Sequence, residues 1–315
     1  MFAQTGGMSN PPPGGKLNTR RPFRAKDAVA AGLSRRSLLS PSFRRIIRGV
    51  FIDASEKPDP WHDALAIMLV TGNDAFVSHH TAARLLGGVV PASSDLHASI
   101  RCDQHRSRTA GIRVHRSTRT PVRFRGVRTT SPVDTFLDLA AHLDLVDLVI
   151  LGDSLVTKAR TTPEALVKAA TATTSYGKRV LRAARLVRAG VDSPMETRVR
   201  LLIGLAGLPE PEVNIQIRSE LGELLRRIDL GYRAAKLGIE YDGRQHAESP
   251  TQYRGDILRR EELSGRDWYE WTAVSDDIFK DPGGALVRLR AVMQKRGMDV
   301  PLLRDEWRRH FPGWG

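Results

Sequence analysis

Residues 226–246 read Arg-Arg-Ile-Asp-Leu-Gly-Tyr-Arg-Ala-Ala-Lys-Leu-Gly-Ile-Glu-Tyr-Asp-Gly-Arg-Gln-His, and this stretch decides the fold of the C-terminal part. Ile228, Leu230 and Tyr232 alternate with other residues, and a second short apolar run begins at Leu237 after a polar turn. Alternation with a period of two on both sides of a turn is typical of paired strands. The stretch therefore predicts a β-hairpin.

Three carboxylates fall on this predicted hairpin: Asp229 in the first strand, Glu240 in the second, and Asp242 just beyond it. Acids on adjacent strands repel one another and lose hydration, and a protein core does not need them. A hard divalent cation offsets that cost, since Mg²⁺ and Mn²⁺ prefer carboxylate oxygens. We therefore predict Asp229, Glu240 and Asp242 as metal ligands and catalytic acids.

The elements around the hairpin predict a mixed sheet flanked by helices. Ser193-Pro-Met-Glu196 is a helix start, with Ser193 as the cap and Pro194 in the first position. Strands at 213–217 and 268–274, a helix at 253–263 and a closing helix from Asp281 complete the order. Glu196 has two interpretations here: a capping glutamate, or an acid that the helix delivers to an active site.

The block from Ser193 to about Met293 resembles the domain of the very-short-patch repair endonucleases, which have the restriction-endonuclease-like fold. The resemblance implies Mg²⁺-dependent DNA cleavage, with Asp229 as the principal ligand and with Glu240 and Asp242 as ligands or water positioners. It also implies that Glu196 is a further acid and that His246 is a general base or acid. Asp242 stands where the family usually has Lys, which departs from the standard mechanism.

Charge divides the chain. Residues up to Gly190 contain 29 Lys and Arg against 14 Asp and Glu, whereas the rest contains 20 against 21. This asymmetry favours a polyanionic partner such as DNA, although a basic surface is also found in Arg- and Ala-rich bacterial proteins. The single Cys102 excludes an internal disulfide and fits a cytoplasmic location. The sequence has no apolar run of about 18 residues and therefore predicts no membrane-spanning helix.

The segment 25–52 predicts a winged helix-turn-helix. Ala28, Val29 and Leu33 fit a helix that stops at Gly32, Ser34 caps a second helix over 35–39, and a strand follows at 49–52. The segment resembles the N-terminal domain of AbiEi-type antitoxins, which implies DNA binding and a cognate toxin. The basic residues predicted to contact DNA in this segment are Arg35, Arg36, Arg44, Arg45 and Arg48.

The middle of the chain predicts a basic sheet edge. Residues 101–128 hold nine Arg and one Asp, and basic residues alternate with apolar ones, as in edge strands with one cationic face. Arg123 and Arg125 are the further candidates for DNA contact. The adjacent pair His79-His80 suggests a metal site, but neighbours on a helix point to different sides, so we predict capping or packing instead.

These patterns predict an α/β (α+β) protein in five parts: a disordered basic arm (1–24), a winged helix-turn-helix (25–75), a middle basic α/β region (76–190), the restriction-endonuclease-like domain (191–297) and a tail (298–315) that docks as a short helix. The predicted function is Mg²⁺-dependent hydrolysis of DNA. A non-enzymatic antitoxin-type regulator with an inactive nuclease-like domain is the alternative, and an RNA-directed nuclease is a third reading, since the sequence does not distinguish the two nucleic acids.

Overall fold

The computed structural model describes residues 17–72, 74–101, 109–173, 177–219, 221–243 and 267–313. It has the predicted α+β class, with three sheets and helices that pack on them. The chain divides into two compact units. The N-terminal unit is Met1–Leu86 with Ala92–Thr135, and the C-terminal unit is Gly87–Pro91 with Phe136–Gly315.

The N-terminal unit begins with a three-stranded antiparallel sheet, in the order β1-β3-β2. Its elements are β1 Phe23–Arg24, α1 Ala25–Ala30, the 3₁₀ turn η1 Ser37–Leu39, β2 Phe43–Ile47 and β3 Val50–Asp53. Phe23 is buried against Phe43 and Phe51, with ring centroids 5.6 and 6.5 Å away. Residues 17–24 of the predicted disordered arm are therefore folded, and residues 1–16 lie outside the described residues.

The first predicted helix is confirmed, and it stops before Gly32, which has φ +93°. The second predicted helix, over 35–39, is wrong in length, because it is the single turn η1. Ser34 Oγ accepts from the backbone N–H of Ser37 at 3.0 Å, but the residue directly before η1 is Arg36, which makes no side-chain capping bond. Pro41 stops the turn from extending, because the residue before a proline avoids helical ψ and Ser40 lies at ψ 163°.

A five-stranded sheet completes the N-terminal unit, in the order β6-β5-β4-β8-β7. The elements are α2 Pro60–Thr71, β4 Phe76–Val77, α3 His79–Leu85, β5 Leu96–Arg101, β6 Ile112–Ser117, β7 Val122–Phe124 and β8 Val127–Thr129. The prediction of basic edge strands is confirmed, since β6 and β7 are the two edges. A single cationic face is wrong for β6, because the exposed Arg113 and Arg116 are three positions apart and point to opposite faces.

Helices occupy the first half of the C-terminal unit. They are α5 Leu145–Thr157, α6 Pro163–Ala172, α7 Gly177–Leu186 and α8 Pro194–Leu205, and they are preceded by α4 Pro132–Leu139 at the division between the units. Nine residues of α5 are buried, and this helix packs against α7 and α8. The compact units therefore divide at Thr135, whereas charge placed the boundary near Gly190.

The second half of the C-terminal unit is a four-stranded mixed sheet in the order β12-β11-β10-β9. Strands β9 Glu212–Arg218, β10 Leu224–Tyr232 and β11 Leu237–Asp242 are antiparallel neighbours, and β12 Tyr269–Val274 runs parallel to β11. The predicted hairpin is confirmed by the pairs Leu230 with Ile239 and Gly231 with Gly238. The predicted helix at 253–263 lies outside the described residues.

Two helices and a short turn close the chain: α9 Ser275–Phe279, α10 Pro282–Lys295 and the 3₁₀ turn η2 Glu306–Arg309. Asp281 caps α10 by accepting from the N–H of Gly284 at 2.8 Å. Trp307 of η2 is 4% exposed, so the tail docks as predicted. Among the described residues, no helix has the length and apolarity that crossing a membrane requires.

Candidate functional site

Asp229 lies in the middle of β10, at an irregularity of the sheet. Its neighbours Ile228 and Leu230 pair with Ile215 and Val213 of β9, and the residue between those two, Asn214, has φ +56°. A residue in the left-handed region inside a strand disturbs the regular ladder and redirects the side chains beside it, as β-bulges do near active sites. The backbone is therefore irregular where the predicted principal ligand sits.

The carboxyl of Asp229 sits in a strongly negative environment. Burial is the largest cause that raises its pKa from 3.8 to about 6, and the nearby carboxylates of Glu196, Glu240 and Asp192 contribute to the same rise, while Arg227 opposes them. The structure thus brings three of the five predicted catalytic residues, Glu196, Asp229 and Glu240, into one electrostatic site. A carboxyl in this state carries a cost when it ionises, which a bound cation would offset.

Glu196 makes the hydrogen bonds of a helix cap, which is the first of its two interpretations. The Oγ of Ser193 accepts from the N–H of Glu196 at 3.2 Å, and Glu196 Oε2 accepts from the N–H of Asp192 at 2.9 Å. This is a capping arrangement at the start of α8. The same carboxylate is 6% exposed and acts on Asp229, so the cap also delivers a buried acid to the site.

Glu240 has a cationic partner that sequence reasoning missed. Arg226 Nη2 donates to Glu240 Oε1 at 2.6 Å and to Glu270 Oε2 at 2.9 Å. Arg226 therefore supplies part of the countercharge that we had assigned to a metal. Sequence reasoning also missed Glu270, which lies in the predicted strand at 268–274 and pairs with Gly238. The signal that could have found it is an acidic residue within a half-buried strand.

Asp242 and His246 are the two remaining predicted residues. Asp242 is half-buried at the end of β11, where it pairs with Val274 of β12. His246 lies outside the described residues, so its predicted role as a general base or acid stays a prediction.

The acidic side chains around Asp229 are chemically suited to binding a hard cation. Asp229, Glu196 and Glu240 offer carboxylate oxygens, which are the ligands that Mg²⁺ prefers. In the part of the chain that the structure describes, these acids do not form a group of three with ligand atoms within 4.8 Å of one another. A cation at Asp229 would thus be bound mainly by that carboxylate. Glu240 would be a second ligand while it also accepts the hydrogen bond from Arg226.

The N-terminal unit carries most of the net charge. It contains 21 Lys and Arg against 9 Asp and Glu, whereas the C-terminal unit contains 28 against 26. Six of the seven arginines predicted to contact DNA are exposed: Arg35, Arg36, Arg45, Arg48, Arg123 and Arg125. Arg44 differs, because its Nη2 is buried and its charge acts on Asp63 of α2. Arg44 is therefore less accessible than the other six arginines.

Arg125 also takes part in the packing of the β7–β8 turn. Its guanidinium lies 5.5 Å from the ring centre of Trp61, and its carbonyl accepts from Trp61 Nε1 at 3.1 Å. Half of its side chain stays exposed, and an ion pair joins it to Asp59 at 3.7 Å. Arg125 thus packs on Trp61 and still exposes half of its side chain at the surface.

A second cluster was not predicted as a site. His79, His97 and His115 come together in the N-terminal unit, with one ligand atom from each within 4.8 Å of the others. Sequence reasoning gave His79 a capping or packing role, because it compared His79 only with its neighbour His80. Its cluster partners lie on β5 and β6, so the pairing of those strands was the missing signal. Ser78, the residue before α3, makes no side-chain capping bond to that helix.

Comparisons with known proteins give relatives but no family. No family model matches the chain. The uncharacterized proteins MT2308 and Rv2248, from two strains of Mycobacterium tuberculosis, are each 26% identical to it over 259 residues, which is 81% of this chain and 93% of each relative. The crystal structure of the RV2827C protein from M. tuberculosis covers 57% of this chain and 75% of that chain at 14% identity, with a TM-score of 0.36.

Proposed function

We propose that this protein binds DNA through its basic N-terminal unit and hydrolyses a phosphodiester bond in its C-terminal unit with the help of Mg²⁺ or Mn²⁺. The observation that carries the proposal is the pKa of about 6 for Asp229, which burial and the neighbouring acids produce. Acids held together at such a cost are frequent at functional sites. The order of helix α8, three antiparallel strands and the parallel strand β12 supports the resemblance to restriction-endonuclease-like domains.

Asp229 would be the principal ligand, Glu240 the second, and Asp242 a ligand or water positioner at the end of the same strand. When bound, Mg²⁺ supplies an activated water and relieves negative charge on the phosphate. The chain's own contribution is to place Asp229, which ionises only above about pH 6, among neighbouring acids and to keep Glu196 fixed by its capping bonds. Glu196 then accepts a hydrogen bond from a water beside Asp229 and orients it.

The N-terminal unit would bring the substrate to this chemistry. Exposed arginines on β2, on the β7–β8 turn and around η1 suit phosphate oxygens, because a guanidinium donates two parallel hydrogen bonds. Such contacts bind the DNA backbone without reading its sequence. The short η1 leaves little helix for the major groove, so backbone contact is the binding mode that this surface favours.

The test is the nicking of supercoiled plasmid by the full chain with Mg²⁺ or Mn²⁺. We expect Asp229→Asn to lower the nicking rate by roughly a hundredfold or more, since a principal ligand is lost. The matched control is Asp276→Asn, which changes an exposed acid of the same unit and should leave the rate unchanged. Equal nicking by the wild type and Asp229→Asn would sink the proposal.

One observation favours a second function. Arg226 already binds Glu240 and Glu270, and Asp242 stands at the position where related nucleases have Lys. A site neutralised by its own arginine fits a non-enzymatic antitoxin-type regulator, which binds DNA and a cognate toxin without cleavage. Calorimetry separates the two functions. Mg²⁺ binding that Asp229→Asn removes supports the nuclease, whereas DNA binding with no heat from Mg²⁺ supports the regulator.

A further inference from the structure

The three histidines of the N-terminal unit come from three separate elements. His79 is the first residue of α3, His97 lies in β5, and His115 lies in β6, which pairs in parallel with β5. The rings of His79 and His115 stack with centroids 3.7 Å apart, and those of His97 and His115 lie 5.2 Å apart. His79 is 7% exposed and His97 is 3% exposed. Helix and sheet thus converge on a partly enclosed set of imidazoles.

Polar contacts on both ring nitrogens orient His97. The hydroxyl of Ser93 lies 3.0 Å from the carbonyl oxygen of Asp95 and 3.0 Å from His97 Nε2. The other ring nitrogen, Nδ1, lies 2.9 Å from His115 Nε2. In the tautomer with its proton on Nε2, His97 donates to Ser93, and the lone pair of Nδ1 faces His115.

This pattern is the one that metal-binding histidines show. A ligating imidazole donates its outer N–H to a fixed oxygen, and its inner nitrogen faces the metal. Ser93 is such an oxygen for His97, and Ser78 Oγ lies 3.0 Å from His79 Nδ1 and accepts from Ser99 at 2.8 Å. The seryl hydroxyls therefore orient two of the three rings.

The distances are close to those of a metal site, and the ring of His79, which stacks on that of His115, would have to rotate so that a nitrogen of each ring points at the ion. Zinc–nitrogen bonds of about 2.0–2.1 Å place the ligand nitrogens of a tetrahedral site roughly 3.3 Å apart. The facing nitrogens of His97 and His115 are 2.9 Å apart, and all three ligand atoms lie within 4.8 Å of one another. A cation between His97 and His115 would replace the proton that they share, so binding releases or moves a proton.

We propose that His79, His97 and His115 form a binding site for a divalent transition metal, best suited to Zn²⁺. Three imidazoles without a carboxylate suit zinc and its neighbours in the transition series, and they do not suit Mg²⁺. The ion would join α3 to β5 and to the edge strand β6, with a fourth coordination position filled by water. This site is separate from Asp229, and it stands whether or not the chain cleaves DNA.

The test is metal binding by the full chain after chelator treatment. Titration with Zn²⁺ against a chromophoric competitor should show one tight site per chain, and Co²⁺ should give the intense visible bands of a four-coordinate ion. His115→Gln should weaken Zn²⁺ binding at least about tenfold. His115 is partly exposed on an edge strand, so this variant keeps the fold, which circular dichroism verifies.

Two controls make the assignment specific. His62→Gln changes a buried histidine of the same unit outside the cluster, and Asp229→Asn changes the proposed Mg²⁺ site; both should bind Zn²⁺ as the wild type does. If His115→Gln binds Zn²⁺ as tightly as the wild type, or if Co²⁺ bound to the wild type gives only the weak spectrum of a six-coordinate ion, the three-histidine site is wrong. Both results are readable even if no nuclease activity is found.

Discussion

Asp229 should limit the stability of the C-terminal unit at high pH. Its pKa is about 6 in the folded chain and near 3.8 when unperturbed, so the unfolded state ionises first and stability falls as pH rises through 6. Asp229→Asn removes this cost. After allowance for solvent screening we expect a gain of about 1 kcal/mol at pH 8, or roughly 2–4 °C in Tm, and no gain at pH 4.

Thermal unfolding at both pH values without divalent cations measures this difference. Asp276→Asn, at an exposed position of the same unit, is the control and should change Tm little at either pH. A loss of Tm for Asp229→Asn that is the same at pH 4 and pH 8 would contradict the electrostatic account, because a packing defect does not depend on the charge of this carboxyl.

Arg226 should stabilise the same site, because its positive charge offsets the negative charges of Glu240 and Glu270. Its side chain is 17% exposed, and those of Glu240 and Glu270 are 25% and 15% exposed. Arg226→Gln leaves two half-buried carboxylates facing each other, so we expect the free energy of unfolding to fall by about 2–3 kcal/mol. Chemical denaturation at neutral pH measures the loss.

The control for this change is Arg308→Gln, which breaks an exposed ion pair with Asp305 and should cost less than about 0.5 kcal/mol. Adding Mg²⁺ then separates the two proposed functions. A cation that restores part of the stability of Arg226→Gln indicates that the acids can bind Mg²⁺. No recovery at millimolar Mg²⁺ favours the regulator, whose countercharge is the arginine itself.

At the scale of elements, the start of α8 connects stability with the site. Ser193 caps the helix, and Glu196 is fixed by the same turn. Ser193→Ala should lower the free energy of unfolding by about 1 kcal/mol, and Ser193→Asn, an equally good cap, should lower it far less. If Glu196 orients a water, Ser193→Ala should also slow plasmid nicking while Ser193→Asn does not. Equal nicking by the two variants would mean that the capping bond of Ser193 has no effect on DNA cleavage.

Helix starts were predictable because their signals are local. Ser193 and Asp281 each accept a hydrogen bond from the first turn of a helix that the sequence predicted. The second helix of the N-terminal segment failed for a local reason as well, since Pro41 follows too soon after Ser37. The alternation of apolar residues with other residues predicted the hairpin and the edge strands, because successive residues of a strand point to opposite faces of the sheet.

At the scale of the whole molecule, what the sequence did not predict depends on long-range packing. Arg226 meets Glu270 across 44 positions, and His97 meets His115 across 18, so no local spacing announces either contact. The units divide at Thr135 and not near Gly190. The charge balance reflects the residues at the surface, whereas the packing of the units depends on buried apolar residues such as those of α5. The proximity of Glu240 to Asp229 was predictable, since adjacent strands of one hairpin bring these two acids together.

The division of charge between the units leads to a test of where DNA binds. If exposed arginines of the N-terminal unit contact phosphates, affinity falls with salt, and the slope of log K against log salt shrinks by about 0.9 for each contact removed. Changing Arg45 and Arg48 together to Gln should lower the slope by roughly two. Changing Lys168 and Lys178, exposed in the C-terminal unit, removes the same charge from a different surface and should leave the slope almost unchanged. Fluorescence anisotropy with a labelled duplex measures both. Equal slopes for the two double variants would mean that DNA responds to the total charge of the chain, and the N-terminal unit would lose its proposed role.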